Sequence, residues 1–133
     1  MKPRNAKDNA PARAPLVYVV DDEAMIVTLI DAILAPAGYG LKLFRDPELL
    51  LKALGAAKPK PDVLITDFAM GAVNGMELIE RSKALHPKLK TIMISGTVDQ
   101  NFVRLAPVKP DRFLAKPFES RTLLGAVEAL LNA

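Results

Sequence analysis

Leu16-Val17-Tyr18-Val19-Val20-Asp21-Asp22-Glu23, followed by Ala24-Met25-Ile26-Val27-Thr28-Leu29-Ile30-Asp31-Ala32-Ile33-Leu34, is the stretch that decides the fold class. Its first five residues are a near-continuous apolar run, the pattern of a strand covered on both faces of a parallel sheet. After three acids, Met25, Ile26, Leu29, Ile30, Ile33 and Leu34 recur at helical spacing and read as the buried stripe of a helix from about 23 to Pro36-Ala37-Gly38. A buried strand passing directly into an amphipathic helix is one βα unit.

Reading outward, the unit recurs. Strands are expected at 40–44, 62–66, 90–94 and 112–115. Asp46-Pro47-Glu48 opens the second helix with a cap, a first-turn proline and an acid, and that helix fades by Lys58-Pro59-Lys60-Pro61. Asn74-Gly75 closes the next loop, and a third helix over 75–85 with Met76, Leu78, Ile79 and Leu85 ends at His86-Pro87. Pro107 and Pro110 confine the fourth helix to a turn or two at 99–105. A fifth over 119–131 buries Leu123, Leu124, Val127, Leu130 and Leu131. The expected class is α/β, a (βα)5 chain around a parallel sheet. The methionines at 25, 76 and 93 read as core, and His86 as an exposed residue without a role.

Composition narrows the class. With 133 residues, half of them hydrophobic and a quarter charged, the chain reads as one ordinary globular domain. It has no cysteine, so disulfide and thiolate chemistry are excluded. No apolar run approaches the ~20 residues of a membrane span, and residues 1–15 lack a signal-peptide core. No membrane association and a cytoplasmic location are the expectation. The net charge of +3 belongs to residues 1–15, where Lys2, Arg4, Lys7 and Arg13 face Asp8 alone; the remainder has 14 basic and 14 acidic residues. Residues 1–15 are therefore expected to be a disordered basic tail, and 16–133 the folded domain. A solvated extension is preferred over a nucleic-acid-binding arm.

Polar residues follow four of the apolar runs: Asp21-Asp22, Asp67, Ser95 and Lys116-Pro117. In a parallel sheet the carboxyl ends of the strands share one edge, where ligand crevices form. Three carboxylates, a hydroxyl and an ammonium converging there suit a divalent cation and a phosphoryl group. Singly, each has a plainer reading: Asp22 as a helix cap, Asp67 as a loop acid, Ser95 as a turn residue, Lys116 as a surface lysine.

Taken together, Val19-Val20-Asp21-Asp22-Glu23, Asp67 with Met70 and Asn74-Gly75, Ser95-Gly96 and Lys116-Pro117-Phe118, at spacings of 45, 28 and 21 residues from Asp22 through Asp67 and Ser95 to Lys116, resemble a response-regulator receiver domain of two-component signalling. The resemblance covers residues 16–131 and implies a doubly wound, flavodoxin-like sheet of order 2-1-3-4-5. It implies that Asp67 is the phospho-acceptor. Asp22 and Asp67, the backbone carbonyl of Ala69, and Asp21 largely through water, would hold Mg²⁺ or Mn²⁺. Ser95 and Lys116 would bind the phosphoryl oxygens, and Gly96 would leave room for them. Ser95 and Phe113 would form the switch. The implied donor is a histidine kinase or histidine phosphotransfer protein. The implied activity is confined to the domain's own phosphorylation and dephosphorylation.

Departures from the family pattern lie in Gly71 near the acceptor, which would loosen its loop, in Ala69 and Thr97, which would line the path of hydrolytic water, and in the short fourth helix. Because the chain ends at Ala133 after the fifth helix, a single-domain regulator is expected, acting as relay, phosphate sink or switch through an unidentified downstream protein. Rival readings are a phosphorylation-independent pseudo-receiver, a haloacid-dehalogenase-type phosphatase, which lacks its second acid at Ala69, and a flavodoxin-like carrier, whose phosphate loop would not tolerate Asp21-Asp22-Glu23.

Overall fold

A computed structural model describes residues 13–132. The elements run β1 (Leu16–Val20), α1 (Ala24–Leu34), β2 (Gly40–Phe44), α2 (Pro47–Ala56), β3 (Val63–Asp67), α3 (Gly75–Leu85), β4 (Lys90–Ser95), α4 (Gln100–Arg104), β5 (Arg112–Ala115) and α5 (Ser120–Leu131). All strand pairs are parallel, and the sheet order is β2-β1-β3-β4-β5, as expected.

The three inner strands are the near-continuous apolar runs, buried on both faces, whereas edge strand β2 is largely open. One face, carrying Val17, Val19, Ile65, Ile92 and Ile94, packs on Ile30 and Leu34 of α1 and on Leu123, Val127 and Leu130 of α5. The other, with Tyr18, Val20, Leu64 and Met93, packs on Leu50 and Leu54 of α2, Leu78 and Ile79 of α3 and Val103 of α4. At about 1.5–3 kcal/mol per fully buried aliphatic side chain, these two layers are the main source of stability. The chain leaves β1 toward β2 and returns past it to β3, so the strand order reverses between β1 and β3. A crevice opens there at the carboxyl edge.

Local chemistry fixes the starts of α2, α3 and α4. Asp46 Oδ1 accepts from Glu48 N at 2.9 Å, with Pro47 in the first turn. Asn74 Oδ1 accepts from Glu77 N at 2.9 Å, and Asp99 Oδ1 from Phe102 N at 3.0 Å. α1 ends in a 3-10 turn at Ala35–Ala37 closed by Gly38 at φ 99°, a left-handed conformation natural to glycine.

Several expectations need correction. Met25 is not core; it is 84% exposed. Leu29 and Leu85 are also exposed, so the buried stripe of α1 is Val27, Ile30 and Leu34, with Ile26 and Ile33 at its margin. Met93 is buried, and Met76 is partly so. His86 is half-buried, with Nε2 3.0 Å from the Pro61 carbonyl oxygen, where it ties the end of α3 to the start of β3. The tail expectation for residues 1–15 falls mostly outside the described residues; Arg13, within them, pairs with Asp62 at 3.3 Å.

Candidate phospho-acceptor site

Each site residue is placed by the strand before it. The β1 ladder ends with Asp21 N donating to Phe44 O at 3.2 Å, which turns the Asp21 side chain into the crevice. Its Oδ1 accepts from Glu23 N at 2.9 Å, and its side chain is almost fully buried. Asp22 follows on the surface. It does not cap α1: Glu23 occupies that position, without a side-chain cap bond. The Asp22 carbonyl oxygen instead accepts from Arg45 Nε at 3.3 Å and Nη2 at 3.1 Å, which binds the loop after β1 to the loop after β2.

Asp67 is the last residue of β3 rather than the first beyond it, in register with Ile94 and only 6% exposed. Its loop returns tightly: Gly75 N donates to Phe68 O at 2.8 Å, and any Cβ at position 75 would collide with the Asp67 carbonyl oxygen. Gly71 has φ +84°, so a glycine stands where a left-handed turn needs one, and the expected loosening becomes a geometric requirement. Ala69 is exposed in the same loop.

Lys116 follows β5; its backbone N–H donates to Ser95 O at 2.9 Å, and its peptide bond to Pro117 is cis. Its ammonium lies 3.1 Å from Glu23 Oε1, 3.2 Å from Asp21 Oδ2 and 3.2 Å from Asp67 Oδ1. Gly96 lies beside the stem of Lys116, where a Cβ would make ordinary contact, so the protein alone does not demand glycine there. Ser95 is the last residue of β4 and is buried. Its Oγ accepts from Thr97 N and Val98 N, each at 3.0 Å, and lies 3.2 Å from Thr97 Oγ1.

The carboxylates of Asp21, Asp22 and Asp67 bring oxygens to within 4.8 Å of one another. Each like-charge pair at about 4 Å costs roughly 4 kcal/mol at an effective dielectric of 20. Burial pushes the Asp21 carboxyl above its ordinary range, with the Asp67 charge adding to it against hydrogen bonds from Glu23 N and Lys116. Burial likewise raises Asp67, partly offset by Lys116, with Asp22 raising it further. Burial alone would lower Lys116, but its bonds to Glu23, Asp21 and Asp67 prevail and hold it above the ordinary lysine value. A hard, oxygen-lined, electronegative pocket with one fixed ammonium fits a small divalent cation, and Mg²⁺ suits it because it needs only one or two carboxylates beside waters.

The structure thus brings together Asp21, Asp22, Asp67 and Lys116, with Ser95 on the adjacent strand end. It leaves Phe113 outside. Phe113 is half-buried on β5, in register with Met93, and lines an open groove of about 490 Å³ against Val103 and Arg104 of α4. The contact of Glu23 with Lys116 and the anchoring of the Asp22 carbonyl by Arg45 were not foreseen. Nor was the edge-on packing of Phe68 against Phe102 of α4 at 5.5 Å. Only the position of Glu23 beside the acid pair offered a sequence signal.

Comparison with known proteins agrees with this geometry. Residues 17–128 match the family model of the response regulator receiver domain. The DNA-binding transcriptional regulator NtrC of Azospirillum brasilense is 32% identical over 124 residues, which is 90% of this chain and 25% of that protein. The transcriptional regulatory protein FixJ of Bradyrhizobium diazoefficiens is 29% identical over 117 residues, covering 87% of this chain and 56% of that one. The chain therefore spans about a quarter to a half of the length of these relatives. Among solved structures, a CheY-like receiver domain protein from Methanospirillum hungatei superposes with a TM-score of 0.83 at 24% identity over 90% of this chain and 95% of that one. A receiver domain from Clostridium thermocellum gives 0.82 at 25% identity over 89% and 94%.

Proposed function

The chain belongs to the response regulator receiver domain family, and from that premise we propose that it accepts a phosphoryl group on Asp67 from a phosphohistidine donor in a Mg²⁺-dependent reaction. The observation that carries the proposal is the triple carboxylate cluster with Lys116 bridging Asp21 and Asp67 at the switch point of the sheet. An Asp67 oxygen attacks phosphorus as the P–N bond to the donor imidazole breaks, and an acyl phosphate forms. A carboxylate oxygen attacks without surrendering a proton, so the step requires no general base.

Asp21 and Asp22 with Asp67 would hold the metal, alongside the Ala69 carbonyl by family resemblance, and the metal supplies neutralisation of phosphoryl charge. Lys116 pairs with a phosphoryl oxygen as a point charge. Ser95, released from its turn, donates a hydrogen bond from its hydroxyl to another. The donor is a histidine kinase or a histidine phosphotransfer protein. The phosphorylated domain then acts as a relay, a phosphate sink or a switch read by a downstream protein. Among the described residues no helix is long and apolar enough to cross a membrane.

The test is transfer of labelled phosphate from a phosphorylated histidine kinase. Wild-type protein takes up acid-labile, hydroxylamine-sensitive label with Mg²⁺ and loses that capacity in chelator, and Asp67→Asn takes up none. Equal labelling of the Asn variant would refute Asp67 as acceptor.

A further inference from the structure

We propose that Glu23 is a positioning residue for Lys116. Its carboxylate holds the ammonium in the unphosphorylated site and gives up its place to an oxygen of the arriving phosphoryl group. The inference rests on the phospho-acceptor reading and names a regulator of that same site.

A lysine ammonium has three N–H donors. Three carboxylates surround this one at near-equal distance: Glu23 Oε1 at 3.1 Å, Asp21 Oδ2 at 3.2 Å and Asp67 Oδ1 at 3.2 Å. The ammonium donates hydrogen bonds to Asp21 and Glu23 and is closed on its third side by the ion pair with Asp67, so a phosphoryl oxygen that draws it in must loosen one of these partners. The three differ in what displacement costs. Asp21 is buried, with its second oxygen already bound to Glu23 N, and losing Lys116 would strand a charge out of reach of water. Asp67 is the group that carries the phosphoryl, and it stays.

The Glu23 side chain is 63% exposed, so water replaces the ammonium readily when it leaves. Glu23 also stands outside the set of carboxylates that converge on the cation position. Its backbone is fixed by its own N–H bond to Asp21 Oδ1 while its carboxylate remains free to move. It is therefore built as a detachable third ligand of Lys116.

Removing it leaves the ammonium one partner short and ready for phosphate. With acetyl phosphate and Mg²⁺, Glu23→Ala raises the phosphorylation rate at saturating donor by about two- to fivefold, the scale of an exposed ion pair. Glu23→Gln, which keeps an acceptor but no charge, falls between it and wild type. In a Lys116→Met background Glu23→Ala changes nothing, because the effect passes through the ammonium. The Lys116 ε-methylene NMR signals of unphosphorylated protein move toward those of a free lysine in Glu23→Ala.

An unchanged rate together with unchanged Lys116 signals overturns the proposal. So does an equal acceleration with and without Lys116, which would mean that Glu23 merely repels the anionic donor. Failure of the wild type to take up phosphate counts instead against the phospho-acceptor reading, and the NMR signals still report whether Glu23 holds Lys116.

Discussion

Asp67 and Asp21 sit in surroundings that oppose their ionisation. Both carboxyls are raised by burial and by a neighbouring acid. A group whose pKa is higher in the fold than in the unfolded chain contributes stability at low pH. That contribution is lost as pH rises through the folded-state value. In the metal-free protein both acids therefore work against the fold at neutral pH. Asp67→Asn is expected to resist urea better than wild type at neutral pH in chelator, with the advantage shrinking as pH falls through the raised carboxyl range. A less stable Asn variant at neutral pH, or a difference independent of pH, would contradict this description of the site. At this scale the acid pair, Asp67, Ser95 and Lys116 were all legible in the sequence, because each sits where an apolar run stops. Glu23 was legible only as part of a motif. A carboxylate at a helix start reads as dipole chemistry, and its partner lies 93 residues away.

Among the elements, the strand interiors and the Asp46 and Asn74 caps could be read locally, since period and cap chemistry act within a few residues. The ends of β3 and β4 could not. Hydrophobicity stops at Thr66 and Ile94, but the hydrogen-bond ladder continues one residue further and takes Asp67 and Ser95 into the sheet. Helical period likewise places Met25 on the stripe of α1 without showing that its side chain is left uncovered while Val27 of the same turn is buried. The loop from Asp67 to α3 depends on a close approach that only glycine permits. Gly75→Ala is expected to cost about 1–3 kcal/mol of stability, as overpacking against rigid backbone does, and to slow phosphorylation by displacing Asp67. Equilibrium denaturation measures the first effect; a midpoint equal to wild type would show that the turn can open without penalty.

Over the whole molecule, the reversal of strand order between β1 and β3 gathers the acids at one edge, and β4 and β5 carry Ser95 and Lys116 to the same edge. A phosphoryl group there adds about −1.5 to −2 charges and new acceptor oxygens. Ser95 and Lys116 can follow it, drawing the loops after β4 and β5 toward Asp67. Two aromatic side chains are placed to transmit that movement to α4: Phe68, which is adjacent to Asp67 and packs on Phe102, and Phe113 of β5, which faces α4 across the groove lined by Val103 and Arg104. A ligand redistributes states only as far as it binds them differently. Beryllofluoride, a phosphoryl mimic, with Mg²⁺ is expected to shift backbone amide signals of residues 95–105 and of the Phe113 neighbourhood beyond those of the immediate site loops. Shifts confined to the loops around Asp21 and Asp67 would instead favour a passive phosphate sink.

The central claim is that phosphate is carried by one carboxylate. An aspartyl phosphate is reduced by borohydride to homoserine, whereas a free carboxylate is not. Protein phosphorylated in Mg²⁺, reduced and examined by peptide mass spectrometry should contain homoserine at position 67 alone. Homoserine at another aspartate, or none in protein that has taken up label, would contradict the account.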